Sequence, residues 1–73
     1  TGTAMEVLHA AGYTYVRVDR NGEELWLAGM AVDIQEGQTV AWGAGSPMAN
    51  FDSPTLGRTF DEILFVDGLR IVG

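Results

Sequence analysis

The chain has 73 residues, about half the length of a typical domain, so it is read as one domain over residues 1–73. Ten acidic residues against four basic ones give a net charge of −6. That balance argues against a nucleic-acid partner, because phosphate contacts need Lys or Arg. With no cysteine, disulfides, iron–sulfur clusters, thiolate zinc sites and thiol catalysis drop out together. No apolar run approaches the roughly 18 residues of a membrane span.

The first predicted strand covers residues 3–9 and stops at the small-residue corner Ala10-Ala11-Gly12. From Tyr13 to Asp19 the chain alternates strictly. Thr14, Val16 and Val18 share one face, and Tyr13, Tyr15, Arg17 and Asp19 share the other. Asn21-Gly22 then marks a tight hairpin turn, with residues 24–28 as the return strand. Residues 30–34 lead to a turn at Glu36-Gly37 and a short strand over residues 39–42. Residues 43–57 hold both prolines and show no β alternation. Ser46-Pro47 and Ser53-Pro54 each put an N-cap residue ahead of a proline, and Gly57 suits a left-handed end. This stretch is therefore predicted to be a long ordered loop with one or two helical turns, held by Met48, Phe51 and Leu56. Residues 58–66 form a long strand, Asp67-Gly68 a second hairpin turn, and residues 69–72 the closing strand.

Five or six strands in so short a chain, with a turn signal every 8–12 residues, predict an all-β fold. Closure removes free edges, so the expected architecture is a small five- to six-stranded barrel of the oligonucleotide/oligosaccharide-binding (OB) type. The Pro-containing loop falls before the penultimate strand. Below roughly 70–80 residues a single core rarely supplies more than about 3–5 kcal/mol, so a domain of this size gains from self-association.

Catalytic parts are few. His9 is the one histidine, Ser46 and Ser53 are the serines, and lysine is absent. A Ser–His–Asp site would draw on serines better placed as caps, so no catalytic residue is assigned. Glu23-Glu24 and Asp61-Glu62 are neighbours, and neighbours on a strand point to opposite faces. They read as a solvated acidic rim, with a carboxylate pair assembled across strands left open. Among soft ligands, Met5 lies within the first strand's pattern and Met30 follows a strand end, both suited to core filling, whereas Met48 in the loop, with His9, Met5 or Met30, forms the nucleus of an alternative copper site. No cofactor is expected in the leading reading. Tyr13 and Tyr15, beside Arg17 and near Trp26, form a candidate outward surface for a protein, sugar or base, or else an ordinary cross-strand cluster.

Several segments together resemble the NrfJ-related group of small exported bacterial proteins: Gly12-Tyr13-Thr14-Tyr15-Val16, Glu36-Gly37-Gln38-Thr39-Val40, Pro47-Met48 with Asn50-Phe51, and Arg58-Thr59-Phe60-Asp61-Glu62-Ile63 with Phe65-Val66. The likeness runs from about Gly2 to Val66. It implies an OB-like barrel, export by a signal peptide, and no established enzymatic activity. A first residue of Thr1 instead of Met fits the expected processed, exported chain. Ser46, Asp52 and Pro54 stand where relatives carry Met, His and Lys, so the soft-metal character of the loop is reduced to Met48. Pro47, Asn50, Phe51 and Arg58 remain as loop scaffold, with Asn50 and Arg58 expected to tie the loop backbone to the barrel.

The resulting expectation is a non-enzymatic, exported, periplasmic or extracellular β-barrel module that binds or self-assembles. Its specific form is a repeating subunit of a homopolymer. There, either an arm of Thr1, Gly2, Thr3 and Ala4 or the terminal Leu69, Arg70, Ile71 and Val72 completes a neighbour's sheet. Periplasmic copper binding is the alternative, and carbohydrate or oligonucleotide binding a weaker one.

Overall fold

The computed structural model describes residues 1–72, and these form an all-β domain with no helix among the described residues. Seven strands follow in order: β1 (Gly2–Ala10), β2 (Tyr13–Arg20), β3 (Glu23–Met30), β4 (Thr39–Ala41), β5 (Gly45–Ser53), β6 (Arg58–Val66) and β7 (Arg70–Val72). They make one mixed sheet in the order β5-β6-β3-β2-β1-β4-β7. All pairings are antiparallel except β3 with β6, which run parallel for only two rungs, Leu27↔Leu64 and Ala28↔Phe65. The sheet curls into a barrel-like body but does not close through hydrogen bonds. Its free edges are β5 and β7, and residues 42–44 carry the chain from β4 to β5.

Local chemistry accounts for the meander. Asn21 and Gly22 have φ of 55° and 86°, the paired positive values that a two-residue turn needs to match strand twist. Ala11 and Gly12, at 53° and 80°, make the same turn between β1 and β2. In β1 the register shifts between Ala4 and Glu6, leaving Met5 as the extra residue of a bulge. The bulge resets the alternation, so Ala4 and Val7 both join the inner cluster.

That inner cluster packs Val16, Val18, Leu27, Ile34, Val40, Val66 and Leu69. Fully burying each such side chain contributes about 1.5–3 kcal/mol. A second cluster lies on the opposite face of β2 and β3, where Tyr15, Ala28, Phe60 and Ile63 are buried with Leu8, Trp26, Phe51 and Phe65 around them. Phe60 stacks on Tyr15 (centroids 5.8 Å apart, planes 2° from parallel) and meets Trp26 edge-on at 4.9 Å. The β5–β6 hairpin thus folds back over the outer face of β2 and β3, and the centre of the sheet is buried on both sides.

Three expectations are corrected here. Residues 43–57 are not a loop with helical turns. Most of them form β5, and the helical signal survives only as the turn at residues 54–57, where Gly57 N–H donates to Ser53 C=O at 2.8 Å with Gly57 at φ 67°. Pro47 is tolerated because β5 is an edge strand and a missing N–H can face outward. Secondly, Asp67-Gly68 does not turn a hairpin, because β7 pairs with β4 and not β6. Asp67 accepts from Gly43 N–H (2.7 Å) and donates to Ala44 C=O (3.0 Å), while Leu69 drops into the inner core. Lastly, Thr1, Gly2, Thr3 and Ala4, expected as an arm that completes a neighbour's sheet, lie in or beside β1 of their own sheet. Gly2 and Ala4 are buried, and Gly2 and Thr3 pair with β4.

Candidate functional site

The two-rung contact between β3 and β6 opens a concavity beside it. Below Leu27 the strands diverge, so residues 23–26 of β3 pair with β2 on one side and have no ladder partner on the other. The resulting cleft measures about 320 Å³. Leu25, Trp26, Ile63 and Leu64 form its apolar wall, and Pro47 of β5 contributes a rim. Glu23, Glu24, Asp61 and Glu62 stand around it with Arg20. The two acidic dipeptides, read from the sequence as a solvated rim with a pair across strands left open, are brought to one cleft. The missed signal is the spacing of Phe60 and Ile63, which are both buried although three apart. That spacing breaks the alternation and turns Asp61 and Glu62 outward together.

Glu24 accepts from Arg17 at 2.7 Å, and Arg17 also reaches Glu6 at 3.4 Å. Glu23, Asp61 and Glu62 form no ion pair among the described residues. No group of three His, Asp or Glu side chains among those residues is arranged to hold a metal ion. The cleft offers negative charge beside apolar surface and an unpaired strand, which suits binding.

The sequence-derived candidates separate. Tyr13 is exposed, but Tyr15 is buried at 5% exposure under Phe60, so the paired outward tyrosines do not exist. Both faces of β2 are covered, which a single alternating strand does not reveal. Trp26 is half-buried, with the Arg58 guanidinium 4.9 Å from its ring centroid and 4.8 Å from that of Phe60. Arg58 thus clamps the aromatic cluster, with Glu6 3.7 Å away, and does not tie a loop backbone. Among the described residues Asn50 makes no such tie either. Its part is a backbone φ of 52°, which interrupts the β5–β6 ladder between Ala49↔Glu62 and Phe51↔Phe60. This kink lets Phe51 rejoin the outer aromatic cluster.

Met48 lies opposite Ile63 on β5, whereas His9 is on β1, with β6, β3 and β2 between them in the sheet. His9 Nδ1 instead lies 3.1 Å from the Thr14 hydroxyl. Met30, 81% exposed, sits opposite Tyr13 at the far end of the hairpin, and Met5 occupies the bulge. The four soft ligands do not gather. Of the terminal residues, Arg70, Ile71 and Val72 are exposed on the β7 edge and Leu69 is core.

The β5 edge has its own pattern. Pro47 has no N–H, so its pair with Leu64 is one without hydrogen bonds. By the period of two, the backbone groups of Gly45, Pro47 and Ala49 face away from β6, and the middle one offers no donor. No family model, curated protein or solved structure matches the chain.

Proposed function

We propose that the chain is a non-enzymatic, exported module that works by self-association through its sheet edges. The observation that carries this reading is the open sheet, with β5 at one end and β7 at the other. Eight of the nine β5 residues are exposed or only half-buried, and β7 presents Ile71 and Val72 to solvent. Addition of one copy's β7 to another's β5 is heterologous and leaves a free edge at each end, so the contact can propagate. At three residues, β7 is short enough to pair on one side of Pro47. The small core favours such an arrangement, since association stabilises a domain this size. The resemblance to small exported bacterial proteins supports an extracytoplasmic setting.

Native mass by light scattering over a concentration series tests the proposal. Species well above 7.8 kDa are expected, growing with concentration. Ala49→Pro, which removes an outward N–H without touching the β6 ladder, is expected to return the protein to monomer. A 7.8 kDa monomer at every concentration overturns the reading.

A further inference from the structure

We infer that the cleft between β3 and β6 is a docking groove for an extended, basic segment of a partner protein. This site shares only Pro47 with the β5 edge and does not depend on self-association. Its frame is the unpaired side of β3 over residues 23–26. At about 3.3 Å per residue it offers roughly 13 Å of strand edge, room for a guest of about four residues. Main-chain hydrogen bonds to such an edge hold an extended peptide whatever its sequence, and the side-chain surroundings choose it.

Those surroundings specify charge. Glu23, Asp61 and Glu62 project at the cleft without ion-pair partners among the described residues, and Arg20 is the one cation beside them. An acidic or neutral guest would leave this charge uncompensated. A guest bearing Arg or Lys neutralises it, and like-charge repulsion excludes acidic competitors. Leu25, Trp26 and Leu64, each half-buried, provide the apolar surface, so alternating basic and apolar side chains are called for. A second copy is the poorer occupant, because its exposed β7 brings a single cation, Arg70, to the carboxylates of the cleft.

The experiment is calorimetric titration of the full chain with acetyl-Arg-Val-Arg-Leu-Arg-Val-amide, its Glu-for-Arg counterpart, and spermidine as a cation without a peptide backbone. Only the arginine peptide is expected to bind, and its affinity falls at least tenfold between low and physiological salt. Asp61→Asn with Glu62→Gln should weaken it at least tenfold. Glu36→Gln, a charge change outside the cleft, should leave it within twofold. Both altered cleft residues are exposed and unpaired, so the fold tolerates the change. Absence of binding at millimolar peptide overturns the inference. So does equal binding of spermidine, or indifference to the cleft substitutions. If those substitutions instead lower the native mass of the peptide-free protein, the groove belongs to a second copy and the basic partner is refuted. The Ala49→Pro monomer should bind the peptide as the wild type does, which separates this site from the assembly edges.

Discussion

Thr14 is fully buried, and its hydroxyl is the pin that fastens the long connection after β3 to the barrel. It donates to Val32 C=O at 3.1 Å and accepts from Val32 N–H at 2.9 Å. Downstream, the same connection puts Ile34 into the core and bonds to Ala4 at both Gly37 and Gln38. Replacing Thr14 with Val keeps the shape and removes the oxygen. The Val32 carbonyl retains a donor, because Ile34 N–H reaches it at 2.9 Å. The Val32 N–H is left without a partner, and an orphaned shielded donor costs about 1–3 kcal/mol. Thr14→Ser keeps the oxygen and loses one methyl, about 0.8 kcal/mol. Urea unfolding followed by tryptophan fluorescence reads both, and Tm should fall by about 4–8 °C for each kcal/mol lost. The expected order is wild type, then Ser, then Val, with an unchanged dependence on urea. A Val variant within about 0.5 kcal/mol of wild type, or a Ser variant less stable than Val, would refute the pin.

Four further outcomes follow from the packing. Gly45→Ala builds a Cβ 2.6 Å from Leu64 Cγ and 2.9 Å from Val66 Cγ1, so it should cost about 1–3 kcal/mol and raise amide exchange along β5. Asn50→Val forces a branched residue to φ 52° and should destabilise by about 1–2 kcal/mol, whereas Asn50→Gly stays within about 0.5 kcal/mol, both read by thermal unfolding. Ala11→Gly relieves the same strain at φ 53° in an exposed turn and should raise stability by about 0.5–1 kcal/mol. Arg58→Ala removes the guanidinium over Trp26 and Phe60 and should cost about 1 kcal/mol, seen as a lower urea midpoint with a changed Trp26 emission.

Assembly through the sheet edges and capture of a basic segment place different demands on the fold. The β5 edge is long and exposed, and it carries its own restraint in Pro47, which removes one outward donor from the middle of the strand. The cleft is bounded by strands already anchored elsewhere, β3 on β2 and β6 on β5, so a guest would meet a preformed frame.

Local pattern determined much of this molecule. Strict alternation from Tyr13, the Asn21-Gly22 turn and the apolar run ending at Val66 specify strands that the structure places at nearly the expected residues, because period and turn chemistry act over a few residues. The inner face of β2, with Val16 and Val18, was legible for the same reason. Tertiary structure decided the rest. Alternation marks two faces of a strand but not whether the second is covered, and the burial of Tyr15 depends on Phe60, which lies 45 positions later in the chain. The two prolines and two capping serines of residues 43–57 favour a loop locally, yet pairing along β6 draws Ser46, Pro47 and Ser53 into an edge strand where Pro47 does no harm, and Pro54 alone stays in a turn. The acidic cleft is wholly a product of topology. Glu23-Glu24 and Asp61-Glu62 are far apart in sequence, and they meet because β3 and β6 join in parallel for two rungs and then separate.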